Sequence, residues 1–307
     1  MDIVVAGAGS WGTALGCVLG QNQHRVTLWG RDAEQAAEMT ARRENRRYLP
    51  GVKLPAGLRF TSDLGAALRE LPTDAPSMLV AVVPSHTMRQ VISEVAPLIP
   101  PQAIVVTASK GIENQTLATM VEVLQQVLPP PLAQRVAVLS GPSFARETAE
   151  AHPTAVVAAA ASRPIAEEVQ RAFQVSTFRV YTSDDVIGVE IGGAVKNVIA
   201  LACGMADGLG FGHNTRAAAI TRGLAEISRL AVRLGGNPLT LAGLAGLGDL
   251  VLTCNGPQSR NRTAGVMLGQ GKSLQQVLTE MKQVAEGIKT TRSVRVVALR
   301  VGVEMPI

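Results

Sequence analysis

The sequence is poor in aromatic residues and in cysteine. Phe, Tyr and Trp make up 3% of its 307 residues, and the three cysteines, Cys17, Cys203 and Cys254, are far apart with no Cys-x-x-Cys pair. Dispersed cysteines in apolar surroundings predict core thiols and a reducing compartment, and not a disulfide framework. The four histidines are also dispersed, without the spacing of metal ligands, so we expect no metal site.

Long apolar runs and a strong charge imbalance are missing too. No apolar run is long enough to span a bilayer, and the chain enters a strand pattern at once, so we expect no signal peptide, no stable membrane insertion and a cytoplasmic protein. The formal net charge is +5, and the basic run at 42–47 has one neighbouring aromatic residue, Tyr48. We expect that run to be a solvated loop or helix end, and we expect no binding to nucleic acid.

The first 32 residues have the pattern of a strand, a glycine turn, a helix and a second strand. Gly7 permits a tight turn, Gly9 lets the backbone approach a pyrophosphate, and Gly12 lets the helix lie close to the strand. Free N–H groups at the start of that helix point at anionic phosphates. Because the glycines stand between a strand and a helix, the pattern predicts dinucleotide binding rather than a purely structural turn.

The end of the second strand indicates which dinucleotide is preferred. An NAD site places Asp or Glu there to hold the ribose 2′-hydroxyl, whereas an NADP site uses Arg beside the 2′-phosphate. This chain has Gly30 and Arg31 at that place, followed by Asp32. We interpret Arg31 as a 2′-phosphate contact, against the alternative of a solvated loop arginine. NADP(H) is therefore the favoured cofactor, with NAD(H) as the second candidate. The basic run at 42–47 is expected near the adenosine half of that cofactor.

The whole length, with 47% hydrophobic residues and 30 glycines, suits two closely packed domains. Apolar runs with the pattern of strands lie at 2–6, 25–29, 78–83, 103–107, 135–139, 155–160 and 178–181, and helical stretches lie between them. Helical patterns without strands follow at 187–207, 215–234, 241–254, 261–268, 273–281 and 290–299. We predict an α/β fold: a Rossmann-type, doubly wound parallel sheet at 1–184 that binds NAD(P), and an all-α, substrate-binding and catalytic domain at 185–307.

Two lysines are candidates for proton transfer to a carbonyl. Lys196 lies inside a helix of small or apolar residues, where desolvation lowers the pKa of an ammonium towards working pH. The alternatives are a lysine that snorkels to the surface or one that pairs with Glu190. Lys110 follows a strand, where such sheets bind ligands, and a second cation nearby would lower the pKa of Lys196 further. An exposed turn lysine explains Lys110 equally well.

A lone carboxylate and a group of hydrogen-bond donors lie further along the helical domain. Asp249 is in an apolar segment, so its carboxylate needs a cation, a hydroxyl or a place as a helix cap. Residues 259–263 are a compact set of donors at a predicted helix start, where Arg260 suits bidentate capture of a phosphate. A surface helix cap would explain the same set.

Together these motifs resemble those of the bacterial NAD(P)-dependent glycerol-3-phosphate dehydrogenases. Six segments carry the resemblance in the family's order, at 7–14, 109–113, 140–145, 193–197, 246–250 and 259–261. The resemblance implies reduction of dihydroxyacetone phosphate to sn-glycerol 3-phosphate by NADPH or NADH, and the reverse, for phospholipid synthesis. It also implies a homodimer, and a few further helical turns after the last quoted motif and beyond residue 307.

The resemblance implies roles for individual positions. Lys196 is the implied proton donor and acceptor, in a catalytic set with Lys110 and Asp249, and Lys110 contacts both substrate and cofactor. The implied substrate contacts are Lys110, Gly141, Ser143, Lys196, Asp249, Ser259, Arg260 and Asn261. The implied cofactor contacts are Gly7, Gly9, Ser10, Trp11, Gly12, Arg31, Lys110, Ala145, Arg260, Val284 and Glu286. We expect the two ammonium groups, from separate domains, to converge where the nicotinamide meets a bound triose.

Two other functions fit parts of the pattern. The β-hydroxyacid dehydrogenases combine a Rossmann domain with a helical domain and a helix lysine beside an asparagine, but they act on carboxylates rather than phosphate esters. A nucleotide-sensing or nucleic-acid-binding protein could retain the cofactor fold without chemistry. Lys110, Lys196 and Asp249 argue against that second alternative.

Overall fold

The computed structural model describes residues 1–281 and 286–307. Contacts divide the chain into two compact units. Residues 1–109, 121–139 and 143–184 form the first, and residues 110–120, 140–142 and 185–307 form the second. Lys110 and Gly141 therefore pack with the helical unit, although the sequence placed them in the α/β domain. The expectation that the two lysines come from separate units is wrong for this reason.

The first unit is built on a sheet whose described residues form eight strands in the order β10-β9-β8-β7-β6-β1-β2-β5. The strands of the chain are β1 (Asp2–Ala6), β2 (Arg25–Trp29), β3 (Glu44–Asn45), β4 (Leu49–Lys53), β5 (Arg59–Thr61), β6 (Ser77–Ala81), β7 (Ile104–Thr107), β8 (Val136–Ser140), β9 (Thr154–Ala159) and β10 (Phe178–Ser183). Strand β1 pairs in parallel with both β2 and β6, and β6 pairs in parallel with β7. Strands β6, β7 and β8 are buried along their whole length, as their continuous apolar runs require. The predicted parallel sheet is confirmed.

The direction of strand addition reverses between β1 and β6. The chain first adds β2 and β5 on one side of β1, and then adds β6 to β10 on the other side. Ligands of such sheets bind outside the carboxyl ends of the strands at this reversal. Gly7 directly follows β1, so the glycine turn lies at the place where the fold positions a ligand.

Helices connect these strands. The helices are α1 (Ser10–Gln21), α2 (Ala33–Arg42), α3 (Leu64–Arg69), α4 (Met88–Val95), α5 (Met120–Val127), α6 (Pro130–Ala133), α7 (Ala145–Ala149) and α8 (Arg163–Phe173). Strands β3 and β4 pair antiparallel, so part of the basic run at 42–47, expected to be a solvated loop or helix end, lies in a hairpin that was not predicted. Their residues lack the apolar alternation that marks a strand in the sequence.

The second unit is helical. Its helices are α9 (Val186–Gly208), α10 (His213–Arg233), α11 (Pro238–Ala242), α12 (Asp249–Asn255), α13 (Arg260–Gly269), α14 (Leu274–Glu280) and α15 (Glu286–Val301). The helix predicted at 241–254 is confirmed from residue 244 onwards, where a π-helical turn at Leu244–Gly248 runs directly into α12, but it is interrupted at Gly243 after α11. A Cβ atom at Gly246 would collide with the backbone of Leu241, so this turn needs glycine.

Helix α9 is the centre of the second unit. Its length and mean hydropathy would allow it to cross a membrane, so the expectation that no apolar run is long enough is wrong, but 83% of its most apolar window is buried inside the fold. A Cβ at Gly208 would lie 3.0 Å from the Cα atom of Gly269, so glycines let α9 and α13 approach closely. Helix α9 is therefore a core helix, and α13 packs closely against it.

Candidate active site

One buried carboxylate in the second unit holds two ammonium groups. Lys110 Nζ donates to Asp249 Oδ2 at 2.6 Å, and Lys196 Nζ donates to Asp249 Oδ1. Asp249 is 1% exposed and Lys196 is 6% exposed. Two cations and one anion leave a net charge of +1 at the centre, which favours an anionic ligand or a developing negative charge on oxygen.

Helix α9, helix α12 and the segment after β7 carry these three side chains. Lys196 lies in the middle of α9, and Asp249 is the first residue of α12, directly after the π-helical turn. Thr253, one turn further along α12, accepts a hydrogen bond from Lys196 Nζ at 2.9 Å and donates to the Asp249 carbonyl at 2.6 Å. Lys110 Nζ also donates to the Gly141 carbonyl at 3.3 Å. The φ of Gly141 is +149°, a conformation that other residues rarely adopt.

The surroundings make Lys196 a stronger acid than an ordinary lysine. Burial lowers the pKa of Lys196 to about 8, the nearby Asp249 carboxylate acts in the opposite direction, and the Lys110 ammonium lowers the pKa further. The expected desolvation and the expected influence of Lys110 are confirmed. Because Lys196 is buried and bonded to Asp249 and Thr253, it does not snorkel to the surface. The Asp249 carboxylate serves two lysines, not a helix cap.

Gly193 keeps the space beside this centre open. It lies three residues before Lys196 on α9, hence on the same side of the helix. A Cβ atom on Gly193 would lie 2.7 Å from Ser140 Oγ and 3.7 Å from Lys110 Cγ and Cδ. Any larger residue would push against the segments that carry Ser140 and Lys110.

The predicted donor set begins helix α13, as expected. Ser259 caps the helix by accepting from the Arg262 N–H at 3.2 Å, and Arg260 is its exposed first residue. The buried Asn261 side chain donates to Asn197 Oδ1 at 2.8 Å and accepts from the Gly287 N–H at 2.9 Å. Asn261 thus joins α9, α13 and α15 next to the lysine on α9.

A second buried carboxylate anchors the same end of α13. Asp207, on α9, accepts from Arg216 Nε at 2.9 Å and from Arg262 Nε at 2.8 Å. Its side chain is 8% exposed. The first turn of α13 is therefore fixed to α9 by both Asn261 and Arg262.

The first unit contains the glycine turn, whose geometry fits a dinucleotide. The φ of Gly7 is +131°, and a Cβ there would lie 2.6 Å from the Val82 carbonyl oxygen. A Cβ on Gly9 would meet nothing within 4 Å, so the backbone there is open to a ligand. Gly9 precedes α1 without a side-chain cap, which leaves the first N–H groups available for phosphate. Trp11 Nε1 is buried and has no partner among residues 1–281 and 286–307.

The other predicted residues lie at the ends of elements or outside the described residues. Ser10 is the first residue of α1, Arg31 is exposed after β2, and Ala145 begins α7. Ser143 follows β8, and Glu286 begins α15. Val284 lies outside the described residues.

The predicted site did not include Thr253, and Asn197 and Gly193 were noted in the sequence only as part of the matching segment at 193–197. Thr253 stands four residues after Asp249, the spacing that puts both on one face of a helix. Both residues lie in the helix predicted at 241–254, so the spacing was readable, but nothing in the sequence marked Thr253 as a partner of Lys196. Asn197 is buried and follows Lys196 directly, so its bond to Asn261 depends on the packing of α13.

The first unit has a parallel sheet with an open glycine turn, and the helical unit has a buried lysine–aspartate centre. Together these features define a pyridine-nucleotide-dependent dehydrogenase. Residues 2–166 match the model of the NAD-dependent glycerol-3-phosphate dehydrogenase N-terminus, and residues 185–307 match that of the C-terminus. The chain belongs to the NAD-dependent glycerol-3-phosphate dehydrogenase family.

Individual relatives agree with this assignment. The chain is 55% identical over 305 residues to glycerol-3-phosphate dehydrogenase [NAD(P)+] of Geobacter sp. (strain M21), covering 99% of this chain and 90% of the relative. It is 52% identical over 307 residues to the protein of that name from Anaeromyxobacter dehalogenans (strain 2CP-C), covering 100% and 91%. The crystal structure of glycerol-3-phosphate dehydrogenase from Coxiella burnetii is 41% identical, with a TM-score of 0.92 and coverage of 99% and 91%.

More distant structures share the fold alone. The structure of a D-mandelate dehydrogenase with NADH and anilino(oxo)acetate aligns with 14% sequence identity and a TM-score of 0.64. The alignment covers 100% of this chain and 94% of the dehydrogenase chain. The much higher identity to glycerol-3-phosphate dehydrogenases favours the phosphate-ester enzyme over the β-hydroxyacid dehydrogenase alternative.

Proposed function

We propose that this chain interconverts dihydroxyacetone phosphate and sn-glycerol 3-phosphate, and that Lys196 transfers the proton. The observation that carries the proposal is the Asp249 carboxylate with an ammonium group on each oxygen, one of them the buried Lys196. A reduced nicotinamide supplies the hydride in this class of reaction. A proton must then reach the carbonyl oxygen, and an acid with a pKa near working pH is suited to deliver it.

Each residue of the centre has a distinct part. Lys196 gives its proton to the oxygen as the alcohol forms, and in the reverse direction neutral Lys196 takes the hydroxyl proton. Asp249 holds Lys196 and Lys110 together and keeps the charged form of Lys196 accessible despite its burial. The Lys110 ammonium stabilises negative charge on the substrate oxygen. Thr253 fixes the position of the Lys196 ammonium through its hydroxyl.

The start of α13 is the proposed phosphate-binding element. Arg260 is exposed there and carries a guanidinium suited to a phosphate, and the helix N-terminus adds a favourable dipole. Asn261 is already bonded to Asn197, so α13 is held close to the lysine-bearing turn of α9. Gly141, Ser143 and Ser259 are proposed as further substrate contacts, on the basis of the family resemblance.

We propose NADP(H) as the preferred cofactor, with NAD(H) as an alternative, held by the first unit. Gly7, Gly9, Ser10, Trp11 and Gly12 would bind the pyrophosphate and its neighbourhood, and Arg31 would contact the 2′-phosphate. Lys110, Ala145, Arg260, Val284 and Glu286 are the remaining proposed contacts. Residues 1–184 would form the cofactor domain and residues 185–307 the substrate domain.

The setting of the enzyme is proposed from the resemblance. We propose a cytoplasmic homodimer that supplies glycerol 3-phosphate for phospholipid synthesis. Analytical ultracentrifugation tests the dimer directly. A sedimenting species of one chain at assay concentration would contradict it.

The decisive assay follows the oxidation of NADPH, and separately of NADH, with dihydroxyacetone phosphate as substrate. We expect turnover with both cofactors and a higher kcat/KM with NADPH. Small 2-keto and 3-keto acids serve as matched substrates without phosphate, and we expect little turnover with them. Turnover of a keto acid but not of the triose phosphate would contradict the proposal.

A further inference from the structure

The hairpin formed by β3 and β4 is fastened to the glycine turn by one buried side chain. Asn45 is fully buried, and its amide donates to the Ala8 carbonyl at 3.0 Å and to Thr13 Oγ1 at 2.8 Å. Its carbonyl oxygen accepts from Gln35 Nε2 at 3.1 Å and from the Tyr48 N–H at 3.3 Å. The hairpin is thereby held at a fixed position relative to the turn that would bind a pyrophosphate.

The acid beside the end of β2 already has partners on both of its carboxylate oxygens. Asp32 Oδ1 accepts from the N–H groups of Glu34 and Gln35 at 3.0 and 3.1 Å and so caps α2. Asp32 Oδ2 accepts from Arg47 Nη1 at 3.0 Å. An Asp that holds the ribose 2′-hydroxyl of NAD accepts a hydrogen bond from that hydroxyl. In Asp32 a 2′-hydroxyl would share its oxygens with the N–H groups that cap α2 and with Arg47.

The same contact brings a second arginine to this place. The bond to Asp32 puts the Arg47 guanidinium beside the residue that follows Arg31, and the guanidinium also lies 5.3 Å from the centre of the Tyr48 ring. Arg31 is exposed and makes no ion pair among the described residues. The neighbouring Arg46 is engaged elsewhere, with Glu44 at 3.3 Å and Glu38 at 4.0 Å. Arg31, Arg47 and Asp32 together leave one unbalanced positive charge.

We propose that Arg47 is a specificity-determining residue that binds the 2′-phosphate of NADP(H) together with Arg31. Nη1 of Arg47 stays on Asp32, and its other N–H groups donate to the phosphate oxygens. Arginine has five N–H donors in a fixed plane, so it can serve a carboxylate and a phosphate at once. The inference rests on the proposed dinucleotide function of the first unit. It gives a specific contact to one residue of the basic run at 42–47, which the sequence placed near the adenosine half of the cofactor without assigning a role to any one arginine.

The test compares Arg47→Gln with Arg46→Gln, two exposed arginines of one hairpin of which only the first contacts Asp32. Binding of NADPH, NADH, 2′,5′-ADP and 5′-ADP is measured by calorimetry, independently of turnover. For Arg47→Gln we expect roughly 10- to 100-fold weaker binding of NADPH and of 2′,5′-ADP, the range for a lost charge-assisted contact. NADH and 5′-ADP should bind as before or more tightly, because Asp32 Oδ2 becomes free. Arg46→Gln should leave all four affinities within about threefold.

Equal affinities of wild type and Arg47→Gln for 2′,5′-ADP would overturn the inference, as would an equal loss in Arg46→Gln. Thermal unfolding of both variants shows whether the hairpin survives. A wild-type protein that reduces dihydroxyacetone phosphate but binds 2′,5′-ADP no better than 5′-ADP would reject the role of Arg47 and leave the proposed function standing. A wild type that binds none of the four ligands would reject the proposed function itself.

Discussion

The charge state of Lys196 should set the pH dependence of the reaction. Burial lowers the pKa of this lysine from 10.5 to about 8, with Asp249 opposing the shift and Lys110 adding to it. A change of that size corresponds to about 3 kcal/mol of lost preference for the charged form. About a tenth of the lysine would then be neutral at pH 7, half at pH 8 and about nine tenths at pH 9.

The two directions of the reaction need opposite charge states. Reduction needs the ammonium, so kcat/KM for dihydroxyacetone phosphate should fall to about half near pH 8, to about a tenth near pH 9 and by about tenfold for each further pH unit. Oxidation needs the neutral amine, so kcat/KM for glycerol 3-phosphate should rise with pH and level off above about pH 9. Substrate phosphates titrate near pH 6, so measurements between about pH 7 and pH 10 avoid that group.

A variant of the neighbouring cation checks the cause of the shift. In Lys110→Met the midpoint of the pH profile of kcat/KM should move to higher pH, because the ammonium that lowers the pKa of Lys196 is gone. The activity of this variant is expected to be low, so its midpoint is read from the residual rate. A reduction rate that stays constant from about pH 7 to pH 9.5, or a midpoint near that of free lysine, would refute the reasoning.

Three other changes test separate parts of the account. Gly193→Ala puts a methyl group against Ser140 Oγ, so it should lower the free energy of unfolding by about 1–3 kcal/mol and lower kcat strongly. Urea titration and steady-state kinetics measure the two effects. Wild-type values of both would show that the space beside Gly193 is not needed. Asp207→Asn removes the charge that holds Arg216 and the first turn of α13, and should raise KM for dihydroxyacetone phosphate more than it lowers kcat; an unchanged KM would contradict the anchoring role. Arg31→Glu should shift preference from NADPH towards NADH, and an unchanged ratio of kcat/KM values would reject the 2′-phosphate contact.

The parallel sheet and the helical second unit were predictable because their signals are local. Runs such as β6 and β8 are continuous and apolar, and α9 is long, so period and length were enough to identify them. The π-helical turn before Asp249 was not predictable, because it depends on how closely Gly246 approaches Leu241. The β3–β4 hairpin has too few apolar residues to be read from sequence.

The site was predictable in its residue types but not in its connections. Lys196 and Asp249 stood out as charged groups in apolar segments, and a buried charge needs a partner. That Asp249 serves both lysines follows only from the folded arrangement of α9, α12 and the segment after β7. Thr253 and Arg47 gain their importance from contacts with Lys196 and Asp32, which no spacing in the sequence reveals.

The central claim is that Lys196 transfers the proton, and the Lys196→Ala variant tests it most directly. The measurement pairs NADPH binding, by fluorescence titration, with the single-turnover rate of NADPH oxidation in the presence of dihydroxyacetone phosphate. We predict nearly unchanged NADPH affinity and a rate reduced by at least about 100-fold, the lower range of general acid catalysis. A variant that binds NADPH normally and reduces the triose phosphate at the wild-type rate would contradict the account.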